Sequence, residues 1–339
     1  MKKGKIALVL SMLILFVACF GYMVSNYTDP LARYPYANEE NRDMILTYMD
    51  DRDIDFIISQ KIKPDVFLMF IELEGFQTKN CQFYYNAYMI RENDPSYIVS
   101  FVNTYRENFG LLSMELLLKN YTYEALVSFY DETSDKYIED AKLVLDPSYL
   151  LTTITKSRTL WQYEPSSLLA VDTNVFVNSS TIEGQSQVLL QEVVHKPLKA
   201  LSQALNMKFD KKDGGLVLTS GYVSFADQVK LYNEAVLQYE FNDLQKYIDY
   251  PGQSEQQLGY TLKFSIPTVA DSTKIAESEQ VIWLLEHAYE YGFIIRYPKA
   301  YEAETNKQYQ PLTLRYVGEK AAKTMQEEKI PLESYEEND

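Results

Sequence analysis

Residues 254–264, SEQQLGYTLKF, leave the chain little choice of local fold. Gly259 supplies a turn, and beyond it Tyr260, Leu262 and Phe264 alternate with Thr261, Lys263 and Ser265. That period of two is the mark of a half-buried strand. The flanking segments have the helical period instead. Residues 193–209 place Val194, Pro197, Leu198, Leu201 and Leu205 on one stripe, with the proline near the start, where a helix tolerates it. Residues 226–239 read as a second helix. Residues 278–291 read as a third, capped by Ser278, striped by Val281, Leu284, Leu285 and Ala288, and stopped by Gly292. A DGG turn at 213–215 leads into LVLTS, and FIIRYP and LTLRYVG supply further strands. Short strands mixed with segregated helices predict an α+β domain over 141–339.

Ahead of this domain the pattern changes. MKKGK precedes an apolar run through Val24, which predicts a signal anchor, a transmembrane helix over 1–24 with the body outside the cell. The alternative is a lipoprotein signal with Cys19 as the lipidated residue. Residues 25–38 read as a linker and 39–140 as a mainly helical extracytoplasmic region. Two stretches there and just beyond begin alike, DPSYIVSFVNTYR at 94–106 and DPSYLLTTITKSR at 146–158. Each looks like a turn or helix start followed by a β-rich run; duplication and coincidence both fit.

Composition removes several function classes. The net charge of −16 leaves nothing to neutralise phosphates, so nucleic acid is excluded as a partner. The cysteines are Cys19 and Cys81, and the histidines His195 and His287. Cys19 lies in the apolar run, so no disulfide framework exists, and a Cys/His metal cluster is excluded by number.

Four stretches then fall in order: LTSGYVSFADQVKLYN (218–233), PGQSEQQLGYTLKF (251–264), a helix and strand over 283–311, and PLTLRYVG (311–318). Together they resemble the VanY-type D-alanyl-D-alanine carboxypeptidases, zinc peptidases that trim peptidoglycan stem peptides. The resemblance implies an antiparallel sheet with flanking helices that carries the metal on one face. It also exposes departures. In the family's Ser-Glu-His-x-x-Gly-x-Ala-x-Asp pattern, Ser254, Glu255 and Gly259 match. Gln256 stands for the histidine and Lys263 for the aspartate. In Glu-Pro-Trp-His followed by Arg-Tyr, Pro311, Arg315 and Tyr316 match. Gln310 replaces the general base, Leu312 the tryptophan and Thr313 the third ligand. In Ser-Gly-Tyr-Arg-Ser, Val223 replaces the arginine beside Ser220, Gly221, Tyr222 and Ser224.

Catalytic zinc needs three N, O or S ligands and an open position. The resemblance therefore implies a pseudoenzyme with no metal, no cofactor and no catalytic residues at the family's positions, with Val223, Gln256, Lys263, Gln310 and Thr313 marking the lost site. The candidate ligand-binding residues are Ser220, Tyr222, Gln228, Ser254, Lys263, Thr313 and Arg315. In the family, zinc, two carboxylates and an arginine leave a net positive charge, and Lys263 alone has that sign. The pocket then holds a peptide carboxylate, or else Lys263 lies on a solvated strand face. The expected function is a membrane-anchored module that binds stem peptide or a membrane or cell-wall protein. An active D,D-carboxypeptidase with an unseen metal site and a structural interaction protein with a vestigial pocket are the alternatives.

Overall fold

The computed structural model describes residues 2–132, 141–238, 244 and 248–336, with no side-chain description at 2–9, 25–28, 132 and 272. The chain divides into two compact units, residues 1–119 and 120–339.

The first unit is helical: α1 (Lys2–Thr28), α2 (Arg42–Tyr48), α3 (Asp51–Ser59), α4 (Cys81–Ile90), α5 (Pro95–Tyr105) and α6 (Leu111–Asn120). Short acidic caps set two of the starts. Asp50 accepts from the N–H groups of Arg52 and Asp53, and Asp94 from those of Ser96 and Tyr97, with Pro95 at the first helical position. The first DPSY stretch is therefore a helix throughout. Its β-branched residues Ile98, Val99 and Val102 lie buried beside Phe101 and Tyr105, so packing of a helical stripe overrides their strand propensity. The second DPSY stretch is a turn, in which Asp146 accepts from the backbone and hydroxyl of Ser148.

The single-pass membrane anchor expected at 1–24 is not supported. Among the described residues, no helix is long and apolar enough to cross a membrane.

In the second unit α7 (Tyr123–Glu132) precedes two small pairs of strands. β1 (Lys142–Leu143) pairs in parallel with β2 (Arg158–Thr159), and β3 (Leu168–Ala170) antiparallel with β4 (Leu189–Gln191). Then follow α8 (Glu192–Phe209), β5 (Val217–Ser220), α9 (Phe225–Val236), β6 (Thr261–Ser265), α10 (Glu279–His287), β7 (Phe293–Tyr297), α11 (Glu302–Thr305), β8 (Gln310–Tyr316) and α12 (Glu319–Glu328). The main sheet is antiparallel, in the order β5-β6-β8-β7. Its Leu218, Leu262, Phe264 and Leu314 are buried on one face, and Phe264 packs on Phe176 at 5.3 Å between ring centres. Buried Asp213, at φ 52° in the turn between α8 and β5, ties that turn to the middle of α8 and to the loop after β3. Its carboxylate accepts from Ser202 Oγ (2.6 Å) and from the Val177 N–H (2.7 Å).

Candidate functional site

The other face of the sheet carries the polar residues. Ser220 pairs with Lys263 and Lys263 with Thr313, so one row crosses β5, β6 and β8. Thr261 and Arg315 form the next row. Because strand residues two apart share a face, these side chains open on the same side, opposite Leu262 and Leu314. Above the row a cavity of about 170 Å³ is lined by Ser220, Val223, Gln228, Ser254, Gln256, Lys263, Gln310 and Thr313 among others. Of the candidate ligand-binding and lost-site positions, all but Tyr222 and Arg315 line this one cavity.

Most of the polar groups are spent on one another. Gln256 Nε2 donates to Ser220 Oγ (2.6 Å) and to the Gly221 carbonyl (3.0 Å). Thr313 Oγ1 donates to Gln310 Oε1 at 3.0 Å, and Gln228 Nε2 to the Asp249 carbonyl at 2.7 Å. Ser224, which invites a nucleophile reading, caps α9 by accepting from the Asp227 N–H and donates to its carboxylate. Tyr222 does not line the cavity, and burial, with Glu164 and Asp227, pushes its phenol up to about 12.

Arg315 is fully buried and occupied by the fold. Its Nη2 donates to the carbonyls of Leu150 (3.0 Å) and Thr152 (3.2 Å), and its Nη1 lies 3.4 Å from Glu255. Glu255 is also gripped by Arg296 through two bonds of 2.7 Å, and Arg296 reaches Glu333 at 2.6 Å. Burial opposes the charge on Glu255, but Arg296 and then Arg315 outweigh it and hold the carboxyl below its usual range.

The charge balance follows. Glu255 and Glu333 are matched by Arg296 and Arg315, and Asp249 by Lys307. Lys263 is left uncompensated: it is half-buried, and among the described residues its amine has no hydrogen bond or ion pair. Burial pushes its pKa down; Asp249 opposes that and Lys307 adds to it. Sequence placed Lys263 on this face but missed Tyr297, Asp249 and Lys307, which also line the cavity. The two charged residues sit 58 positions apart with no local signal to join them.

Neither histidine enters the site. His287 stacks on Trp283 at 5.0 Å and bonds Glu290 at 2.9 Å, and His195 lies half-buried on α8. Among the described residues no three His, Cys, Asp or Glu side chains converge as a metal requires. The donor set at 256, 263 and 313 does not fit zinc. An amide tied to Ser220, a hydroxyl tied to Gln310 and an ammonium offer no good ligand, and the ammonium repels the cation.

The glycine of this corner is fixed by its surroundings. A Cβ on Gly221 would lie 2.5 Å from the Leu189 carbonyl, 2.6 Å from Val188 and 2.7 Å from Leu190. Gly221→Ala forces this turn and β4 apart, at an overpacking cost of about 1–3 kcal/mol. Thermal melts are expected to fall by several degrees, and an unchanged midpoint would contradict this packing.

Residues 190–319 match the VanY family, D-alanyl-D-alanine carboxypeptidase. The Bacillus subtilis (strain 168) protein named "Putative carboxypeptidase YodJ" is 32% identical over 208 residues, covering 59% of this chain and 71% of its own. The D-alanyl-D-alanine carboxypeptidase of Enterococcus faecium is 26% identical over 247 residues, 67% of this chain and 77% of that one. Among solved structures, the LdcB LD-carboxypeptidase, described for its peptidoglycan recognition, aligns with a TM-score of 0.50 and 29% identity. It covers 59% of this chain and 91% of that chain. These relatives overturn the expectation that the chain is not an enzyme, since they are named for carboxypeptidase activity. The donors at 256, 263 and 313 bear on metal binding there and do not decide whether the chain acts on peptide. The chain belongs to the VanY family of D-alanyl-D-alanine carboxypeptidases.

Proposed function

We propose that the second unit recognises the C-terminal end of a peptidoglycan stem peptide, with the Lys263 ammonium holding the terminal carboxylate. One observation carries this reading: Lys263 lines the cavity as a cation with no partner among the described residues, while the acids around it are matched by other cations. A carboxylate entering the cavity restores that balance through a charge-assisted hydrogen bond. Family membership and the peptidoglycan recognition described for LdcB support the same ligand class.

The test is calorimetric titration with a stem pentapeptide ending in D-Ala-D-Ala and with its C-terminal carboxamide. The free acid is expected to bind about 10–100-fold more tightly, since a hydrogen bond to a charged group contributes about 1.5–3 kcal/mol. Lys263→Glu abolishes that preference. Affinity declines as pH rises, and does so below the ordinary lysine range near 10.4, because burial favours the neutral amine. Equal binding by Lys263→Glu and the parent would sink the reading.

A further inference from the structure

A second side chain of the cavity lacks a partner. Tyr297 is the last residue of β7, where the pairing with β8 slips between Ile295 and Tyr297. In a regular strand Arg296 and Tyr297 point to opposite faces, with one of them away from the site. Here both belong to its surroundings: Arg296 grips Glu255 and Glu333, and Tyr297 lines the cavity beside Lys263. Re-aiming a side chain is what such irregularities do. Tyr297 is only 8% exposed, yet among the described residues its hydroxyl makes no hydrogen bond. The oxygen is not one of the fully buried unpaired polar atoms, so it keeps contact with solvent and is free to donate to a ligand that enters the cavity. The nearby candidates are engaged: the Gln310 carbonyl with Thr313, Asp249 with Lys307, and Glu255 with its arginines.

We infer that the Tyr297 hydroxyl is a ligand-binding donor, which, with the Lys263 ammonium, clamps the carboxyl terminus of the bound peptide from opposite sides of the cavity. The inference rests on the stem-peptide reading and adds to it a neutral, directional donor. Lys263 on β6 and Tyr297 on β7 flank β8, so the ligand lies across that strand. Burial, joined by Glu255 and Asp249 against Arg296, pushes the phenol well above its ordinary range. It therefore stays protonated through the neutral range, where the peptide terminus is a carboxylate. The cavity, of about 170 Å³, has room for a small terminal residue.

Tyr297→Phe separates this role from a structural one. It keeps the ring on Arg296 and removes only the oxygen. The full-length variant is expected to melt close to the parent's midpoint, since the hydroxyl removed has no protein partner among the described residues. It is expected to bind the D-Ala-D-Ala pentapeptide about fivefold more weakly, the net effect of one neutral hydrogen bond. A lowered midpoint overturns the inference by showing that the hydroxyl holds the fold, and so does unchanged affinity in a parent that binds. A parent that binds no pentapeptide overturns the stem-peptide reading itself and this inference with it.

Discussion

Glu255→Gln is expected to cost about 3–5 kcal/mol, because it removes the carboxylate that two buried guanidiniums share and leaves their charge uncompensated. The side chains of Arg296 and Arg315 are 1% and 0% exposed and that of Glu255 3%, so water cannot replace the lost partner. Glu333 remains on Arg296 alone. For a unit of this size about 2–4 °C is lost per kcal/mol, which predicts a fall of roughly 6–20 °C in the thermal midpoint. The exposed Lys230, paired with half-buried Asp227, provides the contrast: Lys230→Ala should move the midpoint by very little. Acid titration gives a second reading. The folded Glu255 carboxyl lies below its unfolded value near 4.3, so its contribution is present above that pH and fades as pH falls through the folded value. Glu255→Gln should therefore flatten the acid limb of the stability curve. A shift of less than about 2 °C would show that the network contributes little.

That network illustrates what the sequence could and could not convey. Strands and helices whose signal is local were legible. The alternation after Gly259 became β6, Ser278 capped α10 by accepting from the Val281 N–H, and Gly292 ended the following turn in the left-handed conformation at φ 80°. Motif spacing brought Ser220, Gln256, Lys263 and Thr313 to one face because strand pairing preserves register once the fold is known. Arg315 was misplaced for a related reason. It shares the face of Thr313, but period two says nothing about depth, and the guanidinium is drawn beneath the cavity by Glu255 and two carbonyls. Tyr297 escaped because regular alternation hides a slip in the pairing of β7. The 41-residue gap between Glu255 and Arg296 leaves no pattern that sequence reasoning can follow. The β-rich look of IVSFV misled for the opposite reason, since a helix buries such residues equally well when they fall on its inner stripe.

Restoring the family's donors should convert the cavity into a zinc site. Residues 263 and 313 are direct partners across β6 and β8, and the side chain of 256 enters the same cavity from the turn before β6. Gln256→His, Lys263→Asp and Thr313→His together replace an amide, an ammonium and a hydroxyl with two imidazoles and a carboxylate, a donor set that zinc accepts with one position open. The change of charge at 263 matters most, since an ammonium there opposes the cation while the carboxylate attracts it; the two histidines alone should bind far more weakly. The parent chain is expected to retain no stoichiometric zinc after dialysis, and the triple variant about one per chain by elemental analysis. Zinc at about 100 times its dissociation constant should then stabilise the variant by roughly 2.7 kcal/mol, an effect a chelator reverses. If the triple variant binds none, the three positions do not converge closely enough for coordination, and the cavity geometry is wrong. If the parent itself holds one zinc, donors exist that the described residues do not show, and the carboxylate role assigned to Lys263 loses its main support, because a metal would already supply the positive charge.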